Sequence, residues 1–102
     1  MIYVKVHKTE KGDVIAMCDE DLLGKVLRDG KAEVDLKTYS DFYRGDLMSP
    51  KQAELGLDLA SMYSANVVGK ESVKVMVAKG VVGEGQVRKI SKVPFVQLYT
   101  LI

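Results

Sequence analysis

The side chains best suited to nucleophilic catalysis are Cys18 and His7, the only cysteine and the only histidine of the chain. A cysteine becomes a nucleophile when a neighbouring base or a positive field lowers the pKa of its thiol. The alternating residues around them predict a hairpin with the two side chains on opposite faces, Cys18 buried and His7 exposed at a strand end. We therefore expect a structural cysteine rather than a catalytic pair. The same counts exclude a disulfide within the chain and a metal site built from cysteines or histidines.

A run of three acids, from Asp19 to Asp21, is the candidate for a divalent cation site. Consecutive carboxylates cannot all turn toward one ion unless a dedicated loop holds them. The same residues suit a helix N-terminus, with Asp19 as the N-cap and Gly24 as the stop of one short helical turn. The sequence favours helix capping here, and we expect no metal and no cofactor.

The segment from Ser64 to Glu71 partly matches a phosphate-binding loop, whose pattern is G-x-x-x-x-G-K-[ST]. The match fails twice, because Ser64 stands in place of the first glycine and Glu71 follows the lysine. A helix that begins after Gly69 would still present free backbone N–H groups, with Lys70 beside them. Such a helix start can bind an anion or a phosphate. The alternative is an ordinary helix start without a ligand.

An aromatic stretch containing Tyr39, Phe42 and Tyr43 ends in Arg44. Aromatic rings beside an arginine can stack on nucleic acid bases or fill a pocket of a partner protein. They can equally anchor a loop onto the core. The tripeptide from Arg44 to Asp46 matches a cell-adhesion motif, which we interpret as a chance match because no secretion signal is expected.

The net charge is close to neutral, with 15 basic and 14 acidic residues. This balance argues against strong generic binding to nucleic acid or to an anionic membrane. The charge is uneven, however, since residues 1–50 carry a formal −2 and residues 51–102 a formal +3. If a helix over residues 70–79 packs beside the terminal strands, six basic residues form one basic face; the alternative is an ordinary solvated surface. These residues are Lys70, Lys74, Lys79, Arg88, Lys89 and Lys92.

Alternating apolar residues at the N-terminus predict a β-hairpin over residues 2–18 with a turn near Glu10. This turn pairs Ile2 with Cys18, Val4 with Ala16 and Val6 with Val14, which gives one continuous apolar face. Residues 1–7 alternate like a strand rather than forming the charged and apolar regions of a leader peptide, so we expect none, and no apolar run reaches membrane-spanning length. We therefore expect a cytoplasmic protein without membrane contact.

Two main helices are predicted, over about residues 50–63 and 70–79. Ser49, Pro50 and Gln52 form the signature of a capping box at the first helix start. Gly80 ends the second helix. Further short strands are predicted at residues 32–36 and 93–102, and residues 65–69 suit either a buried strand or a connector. The sequence thus predicts a single α+β domain over residues 1–102, with a mixed sheet of four to six strands.

Three ordered segments, residues 18–25, 42–46 and 65–69, resemble a small archaeal family catalogued as domain of unknown function, number 424. The resemblance extends over most of the chain and implies an α+β architecture in an archaeal, cytoplasmic setting. The family has no assigned activity, so the resemblance transfers no catalytic residue. The matching positions with a candidate role are Asp19, Tyr43, Gly45, Asp46, Asn66 and Gly69.

The leading functional hypothesis is a non-enzymatic binding module that acts on RNA or on a translation-associated protein complex. The alternative is a small enzyme or ligand binder with a phosphate site at Gly69 and Lys70, toward which Asn66 and Asp46 would converge. A third hypothesis is a homodimer formed through an edge strand. The candidate binding residues are Tyr43, Arg44, Asp46, Asn66, Gly69, Lys70, Arg88 and Lys89.

Overall fold

The computed structural model describes residues 1–99, which form eight strands and three α-helices. The strands are β1 (Ile2–Thr9), β2 (Gly12–Asp19), β3 (Val26–Asp29), β4 (Ala32–Asp35), β5 (Asp46–Met48), β6 (Met62–Val68), β7 (Arg88–Ile90) and β8 (Val93–Tyr99). The helices are α1 (Ser40–Tyr43), α2 (Pro50–Gly56) and α3 (Lys70–Ala78). The predicted α+β class is confirmed. Of the predicted last strand, residues 100–102 lie outside the described residues.

Six strands form one mixed sheet in the order β5-β1-β2-β6-β8-β7, and β3 pairs with β4 in a separate hairpin. The pair β2–β6 is parallel, whereas the other neighbours in the large sheet are antiparallel. The six-stranded sheet agrees with the predicted strand number. The segment at residues 65–69, whose sequence suits either a strand or a connector, belongs to strand β6 up to Val68.

The N-terminal hairpin is present, but its predicted register is wrong by one residue. Ile2 lies opposite Asp19, and Val4 lies opposite Met17, because Glu10 and Lys11 form a two-residue loop. The alternating pattern could not set this register, since β2 lies between two strands and is buried on both faces. A strand with two apolar faces fits either register equally well.

The first predicted helix is half the expected length. Its capping box is formed, since Ser49 Oγ accepts from the Gln52 N–H at 3.1 Å and Gln52 Oε1 accepts from the Ser49 N–H at 2.8 Å. The helix stops at Gly56, and Asp58 then accepts a hydrogen bond from the Ala60 N–H in a tight turn. Residues from Met62 onward extend as β6, because they pair with β2.

The large sheet has two faces that carry separate apolar clusters. We call the face covered by α2 and α3 the helical face; its core includes Ile15, Met17 and Val67. We call the opposite face the hairpin face, because the β3–β4 hairpin and α1 cover one end of it over Cys18 and Val68. The hairpin face is therefore covered only in part.

No helix within residues 1–99 is long and apolar enough to cross a bilayer.

Candidate functional site

The start of α3 is occupied by the carboxylate of Asp19. Asp19 Oδ2 accepts from the Glu71 N–H at 3.0 Å, and Asp19 Oδ1 accepts from the N–H and the hydroxyl of Ser72, each at 2.8 Å. Asp19 makes no side-chain cap on the short turn that follows it, Glu20–Leu22. The expectation that it caps its own turn is therefore wrong, since it caps a helix that begins about fifty residues later.

This contact bears directly on the predicted anion seat at Gly69 and Lys70. A phosphate at the helix start would need the amides that Asp19 already occupies. A β-carbon at Gly69 would collide with the Asp19 carboxyl group, so the glycine is the residue that lets the acid approach. The helix start is thus filled by a side chain of the protein itself.

The convergence expected for the phosphate hypothesis does not occur. Asn66 and Asp46 line different clefts on opposite faces of the sheet, and Lys70 lines neither of them. The structure therefore does not assemble the site that this alternative requires.

Cys18 and His7 do not form a catalytic pair. Burial, reinforced by the nearby Asp19 and Asp21 carboxylates, raises the pKa of the Cys18 thiol to about 12. The corrected register places both side chains on the hairpin face, but His7 lies four residues along β1 from the partner of Cys18, or about 13 Å. The expected opposite faces are wrong, whereas the expected burial of Cys18 is confirmed.

His7 is half-buried rather than exposed. Its ring stacks on Phe42 with the ring centroids 4.6 Å apart, and its Nε2 lies 2.9 Å from the Phe42 carbonyl oxygen. Phe42 in turn meets the buried Tyr43 edge to face. His7, Phe42 and Tyr43 thus fasten α1 to the sheet, as the core-anchoring alternative for these aromatic residues predicts.

A cleft of about 380 Å³ opens on the hairpin face, between the sheet and the β3–β4 hairpin. We call it the hairpin-face cleft. Two of the predicted site residues, Tyr43 and Asn66, line it. Its full lining is Glu33, Val34, Asp35, Tyr39, Phe42, Tyr43, Asn66 and Gln97. The cleft therefore combines aromatic rings, two side-chain amides and two carboxylates.

The two amides form a pair across neighbouring strands. Gln97 lies opposite Asn66 in the antiparallel β6–β8 ladder, and its Nε2 donates to Asn66 Oδ1 at 3.2 Å. Each side-chain amide has further capacity, because Gln97 Oε1 can accept and Asn66 Nδ2 can donate. The pair thus offers both an acceptor and a donor within the cleft.

Two exposed tyrosines flank this amide pair. Tyr39 lines the cleft with 62% of its surface exposed, and Tyr99 is 71% exposed. Tyr99 follows Gln97 by two residues in β8, so the two side chains share a face about 7 Å apart. Such exposed rings are free to stack on a flat ligand.

The carboxylates of the cleft are already engaged within the protein. Glu33 forms an ion pair with Arg28 at 3.0 Å. The Asp35 carboxylate accepts hydrogen bonds from Thr38 and Lys37, and these hold the pKa of Asp35 below its usual value. Burial raises the pKa of the Tyr43 phenol to about 12, with a smaller contribution from Cys18. The pKa values of Asp35 and Tyr43 both lie away from neutral pH, so each of these two groups stays in one protonation state there.

The six basic residues of the C-terminal third do not share one face. Arg88 lies opposite Phe95, on the hairpin face, whereas Lys89 lies opposite Pro94 and points to the helical face. Lys79 donates to the Glu54 carbonyl oxygen on α2. The helix α3, with exposed Lys70 and Lys74, covers the helical face. Only Arg88 is placed beside the hairpin-face cleft, diagonal to Gln97.

A larger cleft of about 740 Å³ lies on the helical face, between β1, β5 and the end of α2. We call it the helical-face cleft. Asp46, another predicted site residue, lines it together with Asp13 and Asp58. Within the described part of the chain, no group of three or more His, Cys, Asp or Glu side chains is arranged to hold a metal ion.

The structure brings together only some of the predicted residues. Tyr43 and Asn66 meet in the hairpin-face cleft, and Arg44 is exposed where α1 ends. Gln97 and Tyr99 were not among the sequence candidates. Their alternation in the last strand was visible, but the partner strand that makes Gln97 face Asn66 was not.

Comparison with known proteins agrees with this fold. The chain belongs to the family described as "Protein of unknown function (DUF424)", whose model matches residues 6–101, and the predicted resemblance is confirmed. It is similar to an uncharacterized conserved protein from Methanopyrus kandleri, whose crystal structure matches with a TM-score of 0.83 and 28% sequence identity. That match covers 96% of this chain and 90% of the other. No curated protein has a matching sequence.

Proposed function

We propose that this protein is a non-enzymatic binding module for single-stranded RNA, and that the hairpin-face cleft receives the bases. The observation that carries the proposal is the amide pair Asn66–Gln97 flanked by exposed Tyr39 and Tyr99. Sequence-selective proteins commonly read unpaired bases by stacking them on aromatic rings and bonding their edges. The cleft offers both kinds of contact on one surface.

The engaged carboxylates support base recognition within this cleft. Glu33 and Asp35 are charged acceptors at its rim, and exocyclic amino groups of bases are suitable donors. Phosphate groups would be repelled there. The sugar-phosphate strand would instead run past Arg88, whose Cβ lies diagonal to that of Gln97 at about 7–8 Å.

A binding role is favoured over catalysis by the protonation states of the cleft. General acid or base catalysis works best when a group has a pKa near the working pH. Tyr43 and Asp35 are shifted away from neutrality in opposite directions. The reduced, buried Cys18 is consistent with a cytoplasmic location, which we include in the proposal.

The near-neutral net charge of the chain predicts a low affinity for RNA. Few phosphate contacts mean weak binding with a shallow dependence on salt, and base stacking must supply much of the energy. This fits a module that prefers unpaired bases over a duplex.

Fluorescence anisotropy with a labelled single-stranded RNA, at low and at moderate salt, tests the proposal. The chain offers a matched pair of variants on adjacent residues. Arg88→Ala should weaken binding and lower the slope of log affinity against log salt by about 0.7, as expected for one lost phosphate contact. Lys89→Ala, on the other face of the sheet, should change neither the affinity for RNA nor this slope. No binding at low salt, or equal loss in both variants, would contradict the proposal.

A further inference from the structure

Strand β1 is longer than the edge strand that covers it. It has eight residues, whereas β5 has three and pairs only with Ile2, Tyr3 and Val4. Gly45 then lies against the Val4 carbonyl group, and the chain leaves the sheet there. Beyond this point, the outer edge of β1 from Lys5 to Thr9 has no neighbouring strand within residues 1–99.

The two-residue loop of the hairpin determines which backbone groups point outward. Thr9 and Gly12 flank the loop as a pair, and such a pair normally exchanges both backbone hydrogen bonds. Alternate residues of β1 therefore bond to β2, and the N–H and C=O groups of Val6 and Lys8 point away from it. Among the described residues, these outward N–H and C=O groups of Val6 and Lys8 form no backbone hydrogen bond to another segment. The protein thus presents two residues of unpaired strand edge.

The helical-face cleft opens directly beside this edge. The side chains of Val6 and Lys8 face it, and its apolar wall includes Val4, Met48 and Leu57. A side chain carried by a strand added at the edge would therefore enter a cleft of about 740 Å³. The edge and the cleft together have the geometry of a strand-addition site.

The charged side chains that line the cleft indicate which kind of partner side chain it would bind. Three acidic and two basic residues line the cleft. Both lysines are engaged, since Lys8 forms an ion pair with Asp13 at 3.0 Å and Lys5 donates to a carbonyl oxygen of α1 at 2.7 Å. Asp46 and Asp58 form no ion pair with a lysine or arginine of the described chain. Two exposed carboxylates beside an apolar wall complement a lysine or arginine. The aliphatic stem of such a side chain can cover the wall while its charged end meets the carboxylates.

We propose that the edge of β1 at Val6 and Lys8 binds an extended segment of a partner protein, whose inward lysine or arginine enters the helical-face cleft. The added strand continues the line of β5 along β1. This site lies on the opposite side of the sheet from the hairpin-face cleft, so neither proposal rests on the other. Together the two would let the module join a protein to an RNA.

Nuclear magnetic resonance with the full chain and short synthetic peptides tests this proposal. The probe is a peptide of alternating threonine and valine with one central lysine. It should slow the hydrogen exchange of the Val6 and Lys8 amides and shift their resonances. A peptide with N-methylated backbone, which cannot form the ladder, should have no effect. A glutamate in place of the lysine should weaken binding by about fivefold.

Protein variants separate the edge from the charges. Val6→Pro removes an outward N–H at an edge position, where proline is tolerated, and should abolish binding. Asp46→Asn and Asp58→Asn should each weaken binding of the lysine peptide by about two- to fivefold, while the exposed Asp21→Asn should not. Unchanged exchange at Val6 and Lys8 with the lysine peptide would overturn the proposal. So would equal binding of the lysine and glutamate peptides. Protection that rises with protein concentration alone would identify a second copy as the occupant and overturn it too.

Discussion

Asp19 Oδ1 accepts two hydrogen bonds from Ser72, one from its backbone N–H and one from its hydroxyl, each at 2.8 Å. Both residues are buried, and they join the end of β2 to the first turn of α3. The carboxylate also completes the helix start electrostatically, because a negative charge is favourable at the N-terminus of a helix. The contact explains why the amides at this helix start are not open to a phosphate.

Asp19→Ala should destabilise the protein by about 3 kcal/mol, because it leaves the buried Ser72 hydroxyl and two helix amides without their charged acceptor. Asp21→Ala, which removes an exposed acid two residues away, should change the free energy of unfolding by less than about 0.5 kcal/mol. Urea unfolding followed by circular dichroism measures both. Equal effects of the two substitutions would show that the cap is energetically unimportant.

Gly69→Ala should cost about 3 kcal/mol, because the residue has φ +113° and its new methyl group meets the Asp19 carboxylate. Gly24→Ala is the matched control, since φ is +93° there but the space around it is empty. It should cost only about 1–2 kcal/mol from the backbone conformation. In the double variant with Asp19→Ala, the cost of Gly69→Ala should shrink, as a double-mutant cycle would show. An additive cycle would contradict the steric explanation.

The stability of the fold should fall as the pH rises from about 9 to about 12. The folded-state pKa values of Cys18 and Tyr43 are both raised to about 12, so the folded protein holds protons that the unfolded chain releases. Their contribution is full below the unfolded-state pKa values and is lost as the pH approaches 12. For Cys18 alone the loss is about 4 kcal/mol.

Cys18→Ala provides the control for this pH dependence. The variant should lose most of the fall between about pH 9 and pH 10, because Tyr43 begins to contribute only above its unfolded pKa of about 10. Urea midpoints of both proteins across this range measure the difference. A wild-type curve that stays flat to pH 11, or a variant with the same slope, would show that the thiol is not held protonated by the fold.

Sequence patterns predicted the elements whose signals are local. The capping box of Ser49 and Gln52 correctly placed the start of α2, and Gly80 correctly placed the end of α3. The predicted end of the first helix, at about residue 63, was wrong. Leu55 fits the apolar pattern of a buried helix face, yet its side chain is 74% exposed next to Gly56, where α2 ends. The residues that follow pair with β2 instead of continuing the helix, and a local sequence pattern cannot show such pairing.

The sequence patterns could not predict contacts between segments that lie far apart in the chain. The sequence marks Asp19 as a cap, but the helix that it caps lies about fifty residues further along the chain. Asn66 was a candidate, whereas Gln97 was missed because only the β6–β8 register places the two amides side by side. The candidate site therefore depends on strand order, which the alternation of residues does not determine.

Tyr39→Ala and Tyr99→Ala should each weaken binding of single-stranded RNA by about tenfold, within the range measured for the loss of one base–aromatic stack. Neither should change the free energy of unfolding by more than about 0.5 kcal/mol, because both side chains are largely exposed. Leu55→Ala removes an exposed apolar side chain of α2 on the helical face and serves as the control. Unchanged affinity in both tyrosine variants would exclude stacking at these positions.

The side-chain amide resonances of Asn66 and Gln97 report most directly on the central claim, that the hairpin-face cleft receives unpaired bases. In a titration of ¹⁵N-labelled protein with single-stranded RNA at low salt, both amide groups should shift, and cross-peaks should connect base protons to the Tyr99 ring. A duplex of the same sequence should shift them less. Perturbations confined to α3 around Lys70 and Lys74, or no perturbation at all, would contradict the account.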